Sequence, residues 1–301
     1  MEEIVIPANV KAIFPFAFGW NKKLKKVKFM SDETVVLPKA FIFCDQIDLN
    51  AIYKAHPLGD RIFGADEVRY DGDTLTYIPP YYCGKLVVKD GTRKIASEIN
   101  NLNQFYGITE LYLPDSLEYN GEYPEILKVL HASDKTTELN LSHLSNLHSI
   151  KWPKNVTKIV ADWLDDIENL EIPDSVTEIS GFAHMSLLKS MSIPDSVTKI
   201  DEDSFRFLPM LTSIKIPSKI KRIENGCFSN TGVKHIDLPS GLKEIGNGAF
   251  SDNTSLEEII IPASVEIIEE DAFSGCTSLK KITIEGDPII RKGAFHNCPG
   301  W

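Results

Sequence analysis

Along most of the chain, apolar residues recur in a pattern that neither a single helix nor a single strand explains. A short alternating run, such as Ile4-Val5-Ile6, ends on a proline, and the same frame returns at Ile193-Pro194, Ile216-Pro217, Leu238-Pro239 and Ile261-Pro262. An aliphatic residue follows three positions after each proline: Val10, Val197, Ile220, Leu242 and Val265. An isoleucine follows six after (Ile13, Ile200, Ile223, Ile245, Ile268) and a phenylalanine eleven after (Phe18, Phe205, Phe228, Phe250, Phe273). From Pro173 onward the prolines are spaced by 21, 23, 22 and 23 residues, the period of a solenoid.

Each position has a physical reading. The alternating run is a short strand with one face inward. Proline stops it, because it has no N–H to donate and its φ is fixed. The aliphatics and the phenylalanine carry the chain back with their side chains inward. One turn cannot close a core. Stacked turns can, with ring on ring and strand beside strand in a parallel sheet. The pattern therefore predicts an α/β-type repeat: a right-handed solenoid with one parallel sheet, loops and short helical turns opposite, and about twelve turns over residues 1–301 as a single domain. Weaker units extend the array. Val27-Lys28-Phe29-Met30 with Phe41, Leu111 to Pro114, Ile150 to Pro153 and Leu170 to Pro173 fall into register, and Leu141, Leu144, Leu147 and Ile150 match the spacing of Phe273, Cys276, Leu279 and Ile282.

One stretch, 45–85, carries few of these landmarks. Within it, residues 68–77 alternate around Asp71-Gly72, a two-residue turn signal that predicts an inserted β-hairpin outside the ladder. Leu86-Val87-Val88 then resumes the ladder.

Units such as the segment from Leu256 to Cys276 resemble the BspA-type leucine-rich repeat, with residues 4–43 and 139–298 matching best. The resemblance implies a bacterial surface or secreted protein that adheres to host proteins, extracellular matrix among them, or to other cells. It is specific for fold and weak for activity.

Composition narrows the partners. Lys and Arg number 32 against 43 Asp and Glu, a net charge of −11, which argues against bulk binding to nucleic acid or an anionic membrane. No apolar run approaches ~18 residues, so no membrane insertion is expected. The acidic start Met1-Glu2-Glu3 does not read as a signal peptide, so the expectation is either a cytoplasmic location, the alternative to surface display, or a leader that has been lost.

Five cysteines do not make a disulfide framework. Cys44, Cys276 and Cys298 each lie three residues after a phenylalanine and read as compact core residues, with Cys276 and Cys298 on adjacent turns within reach of a disulfide. There is no C-x-x-C, H-E-x-x-H, G-x-S-x-G or glycine-rich phosphate loop, so no catalytic, cofactor or metal site is expected. An enzyme reading has only His56, Asp60, Arg61 and Asp66 of the irregular stretch to recruit. Asp201 to Asp203, Glu224 and Glu269 to Asp271 recur at one phase and read as a solvated edge. The run Lys22 to Lys28 holds five lysines in seven residues, which suits either an acidic partner or protection of a sheet edge.

What remains is a surface. The strand residues between the inward ones point outward: Lys28, Val87, Tyr112, Lys151, Glu171, Lys215, Asp237, Ile260 and Thr283. Mixed charge with a few apolar members suits a protein or glycan partner. Tyr112 is the expected anchor, with Lys28, Lys151 and Lys215 steering acidic ligands. The expected function is a non-enzymatic interaction or adhesion module. The alternative is a structural scaffold or spacer with no ligand of its own.

Overall fold

The computed structural model describes residues 1–37, 39–56, 67–79 and 82–301. It is a parallel-sheet solenoid of about twelve turns with almost no helix. The chain divides into two compact units, one of residues 1–117 and 121–130, the other of 118–120 and 131–301.

In the second unit the pre-proline strands pair in register with the same position one turn later. Asn169–Glu171 pairs with Ser190–Ser192, Ser213–Lys215 with His235–Asp237, and Glu258–Ile261 with Lys281–Ile284, all parallel. Their middle residues, such as Leu170, Ile214 and Ile236, are buried between exposed neighbours. After each proline the chain turns on one repeated bond. The proline carbonyl accepts from the amide three residues on, as in Val197 to Pro194 at 3.1 Å, Leu242 to Pro239 at 2.9 Å and Val265 to Pro262 at 3.0 Å. That closes a β-turn and delivers the aliphatic residue inward.

The isoleucine six residues after proline does more than return the chain. It sits in a second parallel ladder: Glu138–Asn140, Lys158–Asp162, Glu178–Ala183 and Lys199–Ile200 pair in that order, and so do Arg222–Ile223, Glu244–Ile245, Ile267–Ile268 and Ile289–Ile290. Each turn thus carries two strands, where the sequence pattern suggested one strand and a loop.

Between the ladders runs the aromatic column. Phe182, Phe205, Phe228, Phe250 and Phe273 are fully buried and Phe295 nearly so. Successive ring centroids lie 6.1, 5.2, 5.5, 5.1 and 5.1 Å apart. Phe250 touches both Phe228 and Phe273, as the register requires. The backbone repeats with the rings, since the Phe228 and Phe250 amides donate to Ala249 and Ala272 one turn on.

The first unit starts the same way. Glu3–Ile6 pairs with Lys26–Phe29, Ala12–Ile13 with Val35–Val36, and the half-buried Phe18 stacks on the buried Phe41 at 5.2 Å. The seven-residue helix Leu49–Ala55 follows, N-capped by the Asp48 carboxylate, which accepts from the Ala51 amide. The expected hairpin is present. Arg69–Asp71 and Thr74–Tyr77 are antiparallel, and because Asp71 pairs with Thr74 the two loop residues are Gly72 and Asp73, one later than read from sequence. Gly72 has φ +58°, a region that favours glycine. The hairpin does not stand outside the ladder, however. Thr74–Tyr77 pairs in parallel with Lys94–Ile95, and Leu75 is fully buried, so the second hairpin strand supplies a rung. Cys83–Val87 then pairs with Gly107–Tyr112.

Candidate functional site

The outward strand residues of the second unit are where the pattern placed them. Lys151, Glu171, Lys215, Asp237 and Thr283 are exposed, and Ile260 retains 47% of its surface. At one end of this face is a groove of about 730 Å³, lined by His148, Ser149, Trp152, Asn169, Glu171 and Asp174 among others. Polar side chains cross-link successive rungs. Ser190 Oγ donates to Asn169 Oδ1 at 2.6 Å, and Lys281 reaches Glu258 at 3.2 Å. Asp237 is engaged by His235 Nε2 at 3.0 Å, whose Nδ1 lies 3.6 Å from Glu258. The Ser218 amide, helped by the Lys215 charge, holds the Asp195 carboxyl below the usual carboxylate range. Lys215 is thus a source of positive potential on a face whose next strand ends in Asp237.

Two of the expected contact residues belong to the first unit. Lys28 is exposed beside Val5, itself 53% exposed. Tyr112 is half-buried, with the Lys85 ammonium 4.2 Å from its ring centre and its hydroxyl 3.2 Å from Glu110 Oε2. It is an anchor already held by neighbours. In the lysine run, Lys25 and Lys26 bridge to Glu2 and Glu3 at 3.1 and 3.3 Å, so part of that charge is spent between adjacent strands.

Of the residues an enzyme reading would recruit, His56 is buried, stacked on Phe29 at 3.7 Å and hydrogen-bonded through Nδ1 to the Thr34 carbonyl at 3.1 Å. Asp60, Arg61 and Asp66 lie outside the described residues. Among the described residues no group of three His, Cys, Asp or Glu could hold a metal ion. No helix among them is long and apolar enough to cross a membrane.

Sequence reasoning missed a second surface. Two residues after each column phenylalanine, or the alanine in its place, the backbone adopts a left-handed conformation. In the second unit Trp163, His184 and Phe207 have φ of 59°, 59° and 56°, and Asn230, Asp252 and Asn297 have 56°, 57° and 59°. Asn, Asp and Gly tolerate that region; bulky rings do so only at a cost. The three rings nevertheless stack, Trp163 on His184 at 4.5 Å and His184 on Phe207 at 4.8 Å. Trp163 remains 45% and Phe207 36% exposed, beside a groove of about 460 Å³ that also touches Asp165, Ser186 and Asn230. Arg206 lies 4.7 Å over the Phe207 ring, and its Nε, like Asp162 Oδ1, is buried without a partner. Burial pushes the Asp162 carboxyl up, against the opposing charges of His184, His143 and Arg206. The first unit repeats the device with Trp20 and Phe43 at φ 60° and 58°, ring centres 5.9 Å apart. In three turns the left-handed residue is an aromatic two after the inward phenylalanine: Phe18 to Trp20, Phe41 to Phe43, Phe205 to Phe207.

Two parallel strands per turn, a proline-initiated corner and a stacked inward phenylalanine define a leucine-rich-repeat solenoid. The chain belongs to the BspA type leucine rich repeat family, whose model matches in six copies over residues 1–66, 132–186 and 180–300. Among solved structures, a leucine-rich repeat protein from Bacteroides ovatus ATCC 8483 is 22% identical over 99% of this chain and 76% of that one, with a TM-score of 0.56. A leucine rich cell surface protein from Faecalibacterium prausnitzii A2-165 is 24% identical over 95% of this chain and 79% of that one, with a TM-score of 0.43. No curated protein matches the chain. The family supports an interaction or scaffold role, and the first of these structures shares the fold.

Proposed function

We propose that the chain is a non-enzymatic binding module that recognises a protein or glycan partner through the exposed strand face of its second unit, with Lys151, Glu171, Lys215, Asp237 and Thr283 as contact residues. The observation that carries this reading is the repeated exposed-buried-exposed strand. It holds the fold with its middle residue and leaves two side chains per turn free to vary. Many weak contacts then sum along the stack. Lys28 and Tyr112 are proposed contacts of the first unit. The family resemblance supports action at the cell surface or in the secreted fraction, with host extracellular matrix as the partner class to try first.

The test is a binding screen of the intact chain against extracellular-matrix proteins and glycans at two salt concentrations. Lys151→Glu with Lys215→Glu should cost more than tenfold in affinity and flatten the salt dependence, with the thermal midpoint unchanged. A second reading, favoured by the exposed stack Trp163–His184–Phe207, puts the contact there instead. Trp163→Asn with Phe207→Asn tests it using a residue that the column already accepts at Asn230. A binder indifferent to the lysine reversals but lost in the asparagine variant moves the site to the aromatic column. No binder across the panel leaves the scaffold role.

A further inference from the structure

Five cysteines are present, all free and all buried. Two of them fall in successive turns. Cys276 and Cys298 occupy the same position in successive turns, three residues after Phe273 and Phe295, whose rings lie 5.1 Å apart and within 3° of parallel. Each thiol donates to the carbonyl of the column phenylalanine one turn earlier, Cys276 to Phe250 at 3.2 Å and Cys298 to Phe273 at 3.0 Å. In the two preceding turns the same position holds Asn253 and Thr231, joined by Asn253 Oδ1 accepting from the Thr231 amide and hydroxyl at 2.7 and 2.8 Å. This position links one turn to the next by side-chain contact at Thr231 and Asn253, and in the last two turns it holds a pair of thiols.

We propose that Cys276 and Cys298 form a redox-active dithiol that closes to a disulfide, with a low-molecular-weight or protein disulfide as the oxidant. Equivalent residues of adjacent parallel rungs stand ~4.8 Å apart, inside the ~4.4–6.8 Å Cα window of a disulfide, so closure needs the two side chains to leave the Phe250 and Phe273 carbonyls and turn toward each other. Cys298 keeps 7% of its surface and Cys276 none, which makes Cys298 the entry point. Contact with the Cys276 side chain holds the Cys298 thiol below its ordinary value. The same contact, together with burial, pushes Cys276 up. The Cys298 thiolate attacks one sulfur of the oxidant and expels the other as a thiol, giving a mixed disulfide. Cys276 gives up its proton and attacks Cys298 Sγ, and the second half of the oxidant leaves as a thiol. The two S–H bonds of Cys276 and Cys298 and the S–S bond of the oxidant are exchanged for the Cys276–Cys298 bond and two S–H bonds on the separated halves of the oxidant. The bond ties the turn spanning 277–297 to the one before it.

The test is incubation of the native chain with oxidised glutathione, acid quench, intact mass, thiol titration in denaturant and peptide mapping. A parallel sample is refolded from denaturant in the same buffer. Expected are a mass lower by two hydrogens, Cys44, Cys83 and Cys227 as the remaining titratable thiols, and a linked peptide pair containing Cys276 and Cys298. The thermal midpoint should rise by about 5–10 °C and return on reduction. Cys298→Ser should leave Cys276 free under the same treatment. Linkage in the refolded sample alone still supports the geometry. Five free thiols in both samples, a lasting mixed disulfide on Cys298, or a bridge to another cysteine overturns it.

Discussion

Truncating Phe250 measures what one rung of the aromatic column contributes. The ring is fully buried and stacks at 5.5 Å on Phe228 and 5.1 Å on Phe273. Burial and cavity effects set the scale for a core phenylalanine cut to alanine at about 3–5 kcal/mol. The two stacks, worth about 0.5–1.5 kcal/mol each beyond area, place Phe250→Ala in the upper part of that range, about 4–5 kcal/mol. Phe18 is the internal comparison, half-buried with one stack, on Phe41 at 5.2 Å, and its truncation should cost about 2 kcal/mol. Urea unfolding followed by circular dichroism gives both values, and unchanged m-values show that the same surface is exposed in each variant. A double-mutant cycle with Phe228→Ala should return about 0.5–1.5 kcal/mol of coupling. A loss below about 2 kcal/mol at Phe250, or no coupling to Phe228, would refute the view that ring-on-ring contact holds successive turns together.

The remaining expectations are more local. Leu75→Ala should destabilise the chain by about 2–4 kcal/mol, because Leu75 is buried in a strand that pairs with Lys94–Ile95; a neutral result by urea unfolding would return the hairpin to the status of an appendage. Asp134 is raised by burial but lowered more by Lys154, which approaches to 2.5 Å through Nζ and donates its amide at 3.2 Å, so its carboxyl sits below the usual range. A depressed folded-state carboxylate stabilises above the unfolded value of ~3.9 and loses that contribution as pH falls through the folded one. Lys154→Ala should therefore cost about 0.5–1 kcal/mol at pH 7, discounted because the lysine is exposed, with the difference from wild type closing below ~pH 3.9 in acid-unfolding curves. Asn253→Leu should cost about 1–3 kcal/mol by stranding the buried Thr231 amide, and Thr231→Val in the same chain should recover only part of it.

What the sequence made legible follows from how often each constraint repeats. The proline frame, the aliphatic residue three later and the phenylalanine eleven later recur with little variation, and each answers to one dominant force: a fixed φ, a turn hydrogen bond or ring burial. The second ladder was harder to see because its strands, such as Arg222–Ile223 and Glu244–Ile245, are two residues long and have no alternation to read. The hairpin was legible from its turn. Its role as a rung was not, since pairing of Leu75 with Ile95 is a contact over twenty residues. The outward strand positions of the second unit are exposed because period-2 geometry fixes them, whereas Tyr112 of the first unit is half-buried under Lys85. The left-handed column went unread because its signal is conformational: Trp163, His184 and Phe207 occupy a backbone state that local propensity assigns to Asn230 and Asp252.

That column constrains how the protein can change over time. Each left-handed aromatic is disfavoured alone and favoured by the ring on the neighbouring turn, so its fitness depends on the residue some twenty positions away in the chain. Replacing His184 by asparagine would relieve one backbone strain and leave both Trp163 and Phe207 with an uncovered ring face. Single substitutions in the middle of the run are therefore the least accessible, and those at its borders, beside Asn230, the most. Substitution should proceed inward from the ends of the aromatic block, and duplication of a whole turn should lengthen the block without breaking it. Sequences related to this one by descent should then carry aromatic residues at this position in contiguous runs of varying length, with isolated rings rare.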